Sequence, residues 1–229
     1  GLVELKNNDI SHLDVKPNNI VIKDDNSNFK FIDFGLSAKY SNLKHFKSRA
    51  INESNTKRIY LYYPPEFLFS QSTEKDLKDM GTKLEKKPFE DFRNHANTYK
   101  TVYKLFNRDA KLSLTNIFNN YLDKAWIPDF NSLITKLDVY SLGILLPILF
   151  YNNELLERIK ESEMLQNFFS LFDLMTVPLY IFRIDIENAY ILYKGLMEKF
   201  TKNKSINKSF KRKSVKNKKK KVIKKTIKI

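Results

Sequence analysis

HLDVKPNN, residues 12–19, places an aspartate, a lysine and an asparagine within one turn-forming stretch, and its reading decides the fold. Asp14 is a candidate base. Lys16, two residues on, can neutralise a phosphate, and Asn19 is a hard oxygen ligand suited to Mg²⁺. FIDFG, residues 31–35, adds Asp33 as a second hard ligand. NIVIK (19–23) and FKFID (29–33) are β-rich runs on either side of DDNSN, which predicts a hairpin with a five-residue loop. Such a hairpin folds the chain back and brings Asn19 near Asp33. A metal site, an acceptor and a cation then share one corner, the set that phosphoryl transfer needs.

Outward from this stretch the pattern is mostly helical. Leu2, Val3 and Leu5 predict the end of an amphipathic helix, broken by Asn7, Asn8 and Asp9. Residues 35–63 are polar and irregular and predict a long loop, and PPEFLF (64–69) can start a helix. Residues 70–136 are charged and mixed, with scattered helical periodicity and no motif. VYSLGILLPILFY (139–151) predicts a buried helix. Its 13 residues are too few to span a membrane, which takes about 18, and no transmembrane segment is expected. Apolar residues at helical spacing fill 154–175 and 184–200.

Charge divides the chain. Of its 41 Lys and Arg, 14 lie in residues 202–229, leaving 27 against 26 acidic residues in the body. The basic character therefore belongs to a low-complexity tail, expected to be disordered alone. That tail suits a nucleic-acid or anionic surface, or a nuclear-import patch, against the plainer reading of a solubilising segment. The absence of Cys excludes disulfides, thiolate catalysis and Cys-based zinc in this sequence. GLVELKNND has no basic n-region or long apolar run and reads as carrying no secretory signal, so a cytoplasmic or nuclear, intracellular location is expected.

HLDVKPNN resembles the catalytic loop of eukaryotic-type protein kinases, and FIDFG their metal-binding motif. YPPE (63–66) is similar to their Ala-Pro-Glu motif, with Pro64 in place of Ala, and LDVYSLGILL (137–146) to the central helix of the large lobe. The resemblance covers residues 1–66 and 137–200. It implies a mainly α fold with a small β-hairpin: a kinase-like C-terminal lobe over 1–201, with an insertion within 68–136 before the central helix. The Lys-rich tail at 202–229 completes the domain plan. It further implies ATP and Mg²⁺ as cofactors and a protein substrate phosphorylated on Ser or Thr. Asp14 and Lys16 would be catalytic, with Lys16 pointing to the Ser/Thr type, and Asn19 and Asp33 would hold Mg²⁺. Gly35 would turn the backbone after Asp33, Glu66 would anchor the substrate loop, and Asp138 would bond the catalytic-loop backbone. His12 reads as a packed scaffold residue, His45 and His95 as surface residues, and Gly143 as a packing position.

The pattern also departs from the family. Leu13 stands where many kinases have Arg, so switching through a phosphate on the activation loop is not expected. Ile59 stands where Ser/Thr kinases usually have Thr. No Arg near 204–210 matches the usual partner of Glu66; Lys208 or Arg183 are candidates. None of the five glycines are spaced as G-x-G. The expectation is a large lobe without its small ATP-binding lobe, which needs that lobe or a complementing partner. Alone it would bind ATP–Mg weakly and transfer phosphate slowly or not at all. The alternative is a non-catalytic remnant or pseudokinase acting as a binding module. A small-molecule phosphotransferase of related fold fits Lys16-Pro17 and PPE less well.

Overall fold

Helix α3, Phe130–Asn152, organises the molecule. In this computed structural model the described residues are 1–22, 29–42, 45, 62–64, 96–109, 112–113 and 130–202. The chain divides into two units, Gly1–Tyr190 and Ile191–Ile229. In the second unit residues 191–202 are helical and largely exposed.

In the first unit the order is α1 (Leu2–Asn7), β1 (Ile10–Ser11), a 3₁₀ turn (Pro17–Asn19), β2 (Ile20–Ile22), β3 (Phe29–Phe31) and β4 (Ala38–Lys39). Then come α2 (Ala96–Leu105), α3, α4 (Glu157–Lys160), α5 (Glu163–Met175) and a 3₁₀ turn at Tyr180–Phe182. β2 and β3 pair antiparallel, with Ile20 opposite Phe31 and Ile22 opposite Phe29, so the expected hairpin forms, shorter than its β-rich runs. β1 pairs antiparallel with β4, a small ladder inside the stretch expected to be loop. The hairpin loop, residues 65–69, Glu66, Ile59, His95 and the tail beyond 202 lie outside the described residues.

α3 is apolar around its circumference and therefore sits inside. Leu133, Ile134, Val139, Tyr140, Ile144 and Ile148 have no exposed surface. It begins nine residues earlier than the run 139–151 suggested. Its stretch Ser132–Asn152 is long and apolar enough to cross a membrane, but 67% of that window is buried in the protein, the condition of a core helix. Pro147 lies within it. Lacking an N–H, it cannot donate to the carbonyl of Gly143, a loss of about 3 kcal/mol that the surrounding packing must offset.

Gly143 lets α3 and α5 touch. A Cβ there would lie 2.6 Å from the Met175 Cβ and 3.0 Å from the Thr176 Cγ2, both on buried residues. Gly143→Ala is therefore expected to destabilise the protein by about 1–3 kcal/mol through overpacking, despite alanine's better helix propensity. Thermal unfolding checks this, and an unchanged or raised Tm counts against the close approach.

The predicted helix at 154–175 is broken in two. Ser162 adopts an extended backbone and its hydroxyl accepts from the Leu165 amide, so it ends one segment and caps α5. α5 presents Phe169, Phe172 and Met175 to the core at helical spacing. Within 68–136, α2 and the start of α3 contribute to the same core. Val102 and Tyr103 are 1% exposed, and the Tyr103 and Tyr140 hydroxyls bond at 2.9 Å. Arg108 then reaches the carbonyl of Thr176 at 2.7 Å and pairs with Asp173, fastening the end of α2 to α5.

Candidate active site

Asp138, on α3, fixes the loop that carries the candidate catalytic residues. Its Oδ2 accepts from the His12 amide at 2.6 Å and the Ser11 hydroxyl at 2.9 Å, and its Oδ1 accepts from the Leu13 amide at 2.8 Å. Burial pushes the Asp138 carboxyl above the usual carboxylate range, and the two amides and the hydroxyl offset only part of that rise. The second of these donors, Leu13, takes a left-handed conformation, φ 60°. That backbone costs a non-glycine residue about 1–3 kcal/mol and persists where the surroundings enforce it. Here they do: the Leu13 side chain is 3% exposed, packed with Ala38, Leu133, Ile134, Leu137 and Tyr180. The leucine that departs from the kinase pattern is thus a core residue.

The next residue is Asp14, itself 3% exposed. Pro17 opens the 3₁₀ turn that returns the chain toward it, with the Asn19 amide bonding the Lys16 carbonyl at 3.0 Å. This turn places two donors on one carboxylate oxygen. Asn19 Nδ2 reaches Asp14 Oδ2 at 2.9 Å and the Asp14 carbonyl at 3.0 Å, and Lys16 Nζ reaches Oδ2 at 2.8 Å. Asp14 Oδ1 accepts from the Tyr63 hydroxyl at 3.1 Å. The carboxylate is therefore enclosed, and Lys16, one quarter exposed, is its most accessible cover.

Asp33 reaches this corner through the residue before it. The Ile32 amide donates to the Asn19 carbonyl at 2.9 Å, and the Ile32 carbonyl lies 3.2 Å from His12 Nε2. Ile32 is thereby fastened to both ends of the loop. His12 has no exposed surface and its ring packs on Phe31 and Phe34, which makes it a scaffold residue. His45 is half-buried, with Nε2 3.3 Å from the Leu36 carbonyl. The expectation for Gly35 needs correction: no glycine among the described residues has a positive φ, and Asp33 itself makes the left-handed turn, at φ 61°. A Cβ at position 35 would lie 3.3 Å from Asp33 Oδ1, which accepts from the Gly35 amide at the same distance. A side chain there would press on the exposed Asp33 carboxylate, which would have to give by a few tenths of an ångström.

The two candidate ligands offer oxygen atoms of the kind a hard divalent cation takes. The Asn19 amide nitrogen is spent on Asp14, which leaves its Oδ1 as the atom to offer, and Asp33 presents an exposed carboxylate one residue past the Ile32–Asn19 bond. The exposed apolar residues Val21, Ile22, Phe29 and Phe34 lie on the same hairpin and beside Asp33.

Residues 1–80 match the protein kinase domain. The matched stretch contains Asp14, Lys16, Asn19, Asp33 and Tyr63, and it supports a protein kinase family for the chain. No curated protein and no solved structure matches.

Some of what holds the kinase-like site was not read from the sequence. The Tyr63 hydroxyl and the Ser11 hydroxyl both bond its carboxylates. Arg183 is fully buried, with Nε, Nη1 and Nη2 donating to the carbonyls of Val177, Lys136 and Pro178 and its guanidinium 4.8 Å from the Tyr140 ring.

Proposed function

We propose that this chain is the catalytic, large-lobe part of a Ser/Thr protein kinase that transfers the γ-phosphoryl group of ATP to a Ser or Thr hydroxyl. The observation that carries the reading is the convergence of Lys16, Asn19 and Tyr63 on Asp14, with Ile32 tying Asp33 to the same loop. The substrate hydroxyl donates to Asp14, which orients it and takes its proton as the new O–P bond forms and the bond to the β-phosphate oxygen breaks. Lys16, released from Asp14 toward the nucleotide, neutralises charge on the phosphoryl group in transit. Asn19 and Asp33 would hold Mg²⁺, which supplies neutralisation of the phosphates when bound. Ile22 and Phe29, exposed cross-strand partners on one face of the hairpin, support contact with the nucleotide base or with a second lobe.

The test is phosphate transfer from labelled ATP to Ser-, Thr- and Tyr-containing peptides by this chain together with its small lobe or a complementing partner. The expected result is labelling of Ser and Thr peptides, falling by more than about 100-fold when EDTA removes divalent cations and returning with added Mg²⁺. Transfer that is indifferent to EDTA, or confined to Tyr peptides, contradicts the proposal. The enclosure of Asp14 favours one other reading, a kinase remnant that binds without transferring phosphate; ATP retained with no peptide labelled would select it.

A further inference from the structure

Tyr63 sits in the core and reaches the candidate base. Its side chain is 6% exposed, packed with Leu13, Ala38, Leu133, Ile134, Leu137 and Tyr180. Its hydroxyl donates to Asp14 Oδ1, while Lys16 and Asn19 both engage Oδ2. The two oxygens of one carboxylate are therefore held by different parts of the chain, residues 16–19 on one side and residue 63 on the other. Rotation about the Cβ–Cγ bond swings both oxygens together, so the Tyr63 donor at Oδ1 restrains it from the side opposite to Lys16 and Asn19. A phenol anchored by a buried ring is a stiff donor, because little rotamer entropy remains to be lost.

We propose that Tyr63 is a positioning residue for Asp14. Its hydroxyl helps to set the plane of the carboxylate that is to accept from the substrate hydroxyl. The inference rests on the reading of Asp14 as the base. It assigns to the segment at 62–64 a direct part in the geometry of transfer, beyond its place in a substrate-loop motif.

Tyr63→Phe in the native protein tests it, since the ring and its packing remain and only the hydroxyl is lost. The expected result is a fall in kcat of about tenfold or more with the KM for ATP within about twofold of wild type, as small misplacements of reacting groups cost rate rather than nucleotide binding. A second measurement needs no turnover. Tyr63→Phe should lower the Tm by about 3–6 °C in the wild-type background and leave it nearly unchanged in an Asp14→Ala background, because the partner is already gone. Unchanged kcat in an active kinase, or equal Tm losses in both backgrounds, overturns the positioning role and leaves the base standing. A wild-type protein that transfers phosphate no better than Asp14→Ala overturns the base, and this proposal with it.

Discussion

Asp14→Asn is expected to lower the rate of phosphotransfer by about 10²–10⁴-fold, the range that a positioned general base contributes. Asparagine keeps the shape of the side chain and one oxygen to accept a hydrogen bond. It cannot take the proton of the substrate hydroxyl, and it no longer balances the charge of Lys16, 2.8 Å from the carboxylate in the native protein. The loss should appear in single-turnover transfer with ATP binding largely retained, because Asp14 contacts the acceptor and not the nucleotide in the proposed reaction. The measurement is quenched-flow labelling of a Ser peptide, with ATP affinity by calorimetry alongside. A variant that transfers phosphate at the native rate removes Asp14 from the chemistry.

The second large effect concerns stability. Asp138→Ala should cost about 3–5 kcal/mol, a large part of the roughly 5–15 kcal/mol that holds a domain folded. The alanine strands the His12 amide, the Leu13 amide and the Ser11 hydroxyl, three donors buried with the carboxylate they served. An unmet buried donor costs about 1–3 kcal/mol, and structural relaxation or entering water recovers part of the sum. Leu13 would also lose the bond that steadies its left-handed backbone. Asp138→Asn should lose less, because one oxygen still accepts while the amide group faces donors. Urea unfolding midpoints measure both variants; a native midpoint for Asp138→Ala would show that the loop is held by other means.

The corner of the site was legible because its logic is local. Asp14, Lys16 and Asn19 fall within six residues, and a turn at Pro17 suffices to converge them, so spacing alone carries the arrangement. Asp33 was legible through the hairpin, whose β-branched and aromatic runs declare themselves. Other features depend on contacts between distant segments. The start of α3 at Phe130 was hidden because Asn131, Ser132, Thr135 and Lys136 interrupt the apolar run, although Leu133 and Ile134 are as buried as the residues that follow. The break before α5 turns on Ser162 serving as a cap, in a stretch where helical spacing continues through it. The left-handed turn fell to Asp33, since a glycine nearby is a cue to small size as readily as to unusual dihedrals. Tyr63 was read as a letter of a motif, and only the folded chain brings its hydroxyl across 49 residues to Asp14.

Asp138 grips peptide groups, and in doing so it separates the course of the loop from the chemistry displayed along it. A clasp made on amides is blind to what each residue carries, provided the left-handed step at position 13 is kept. The arginine common at that place can thus give way to leucine without disturbing the path that delivers Asp14. Where the resemblance leads one to look for an arginine, Leu13 instead fills the protein's own interior.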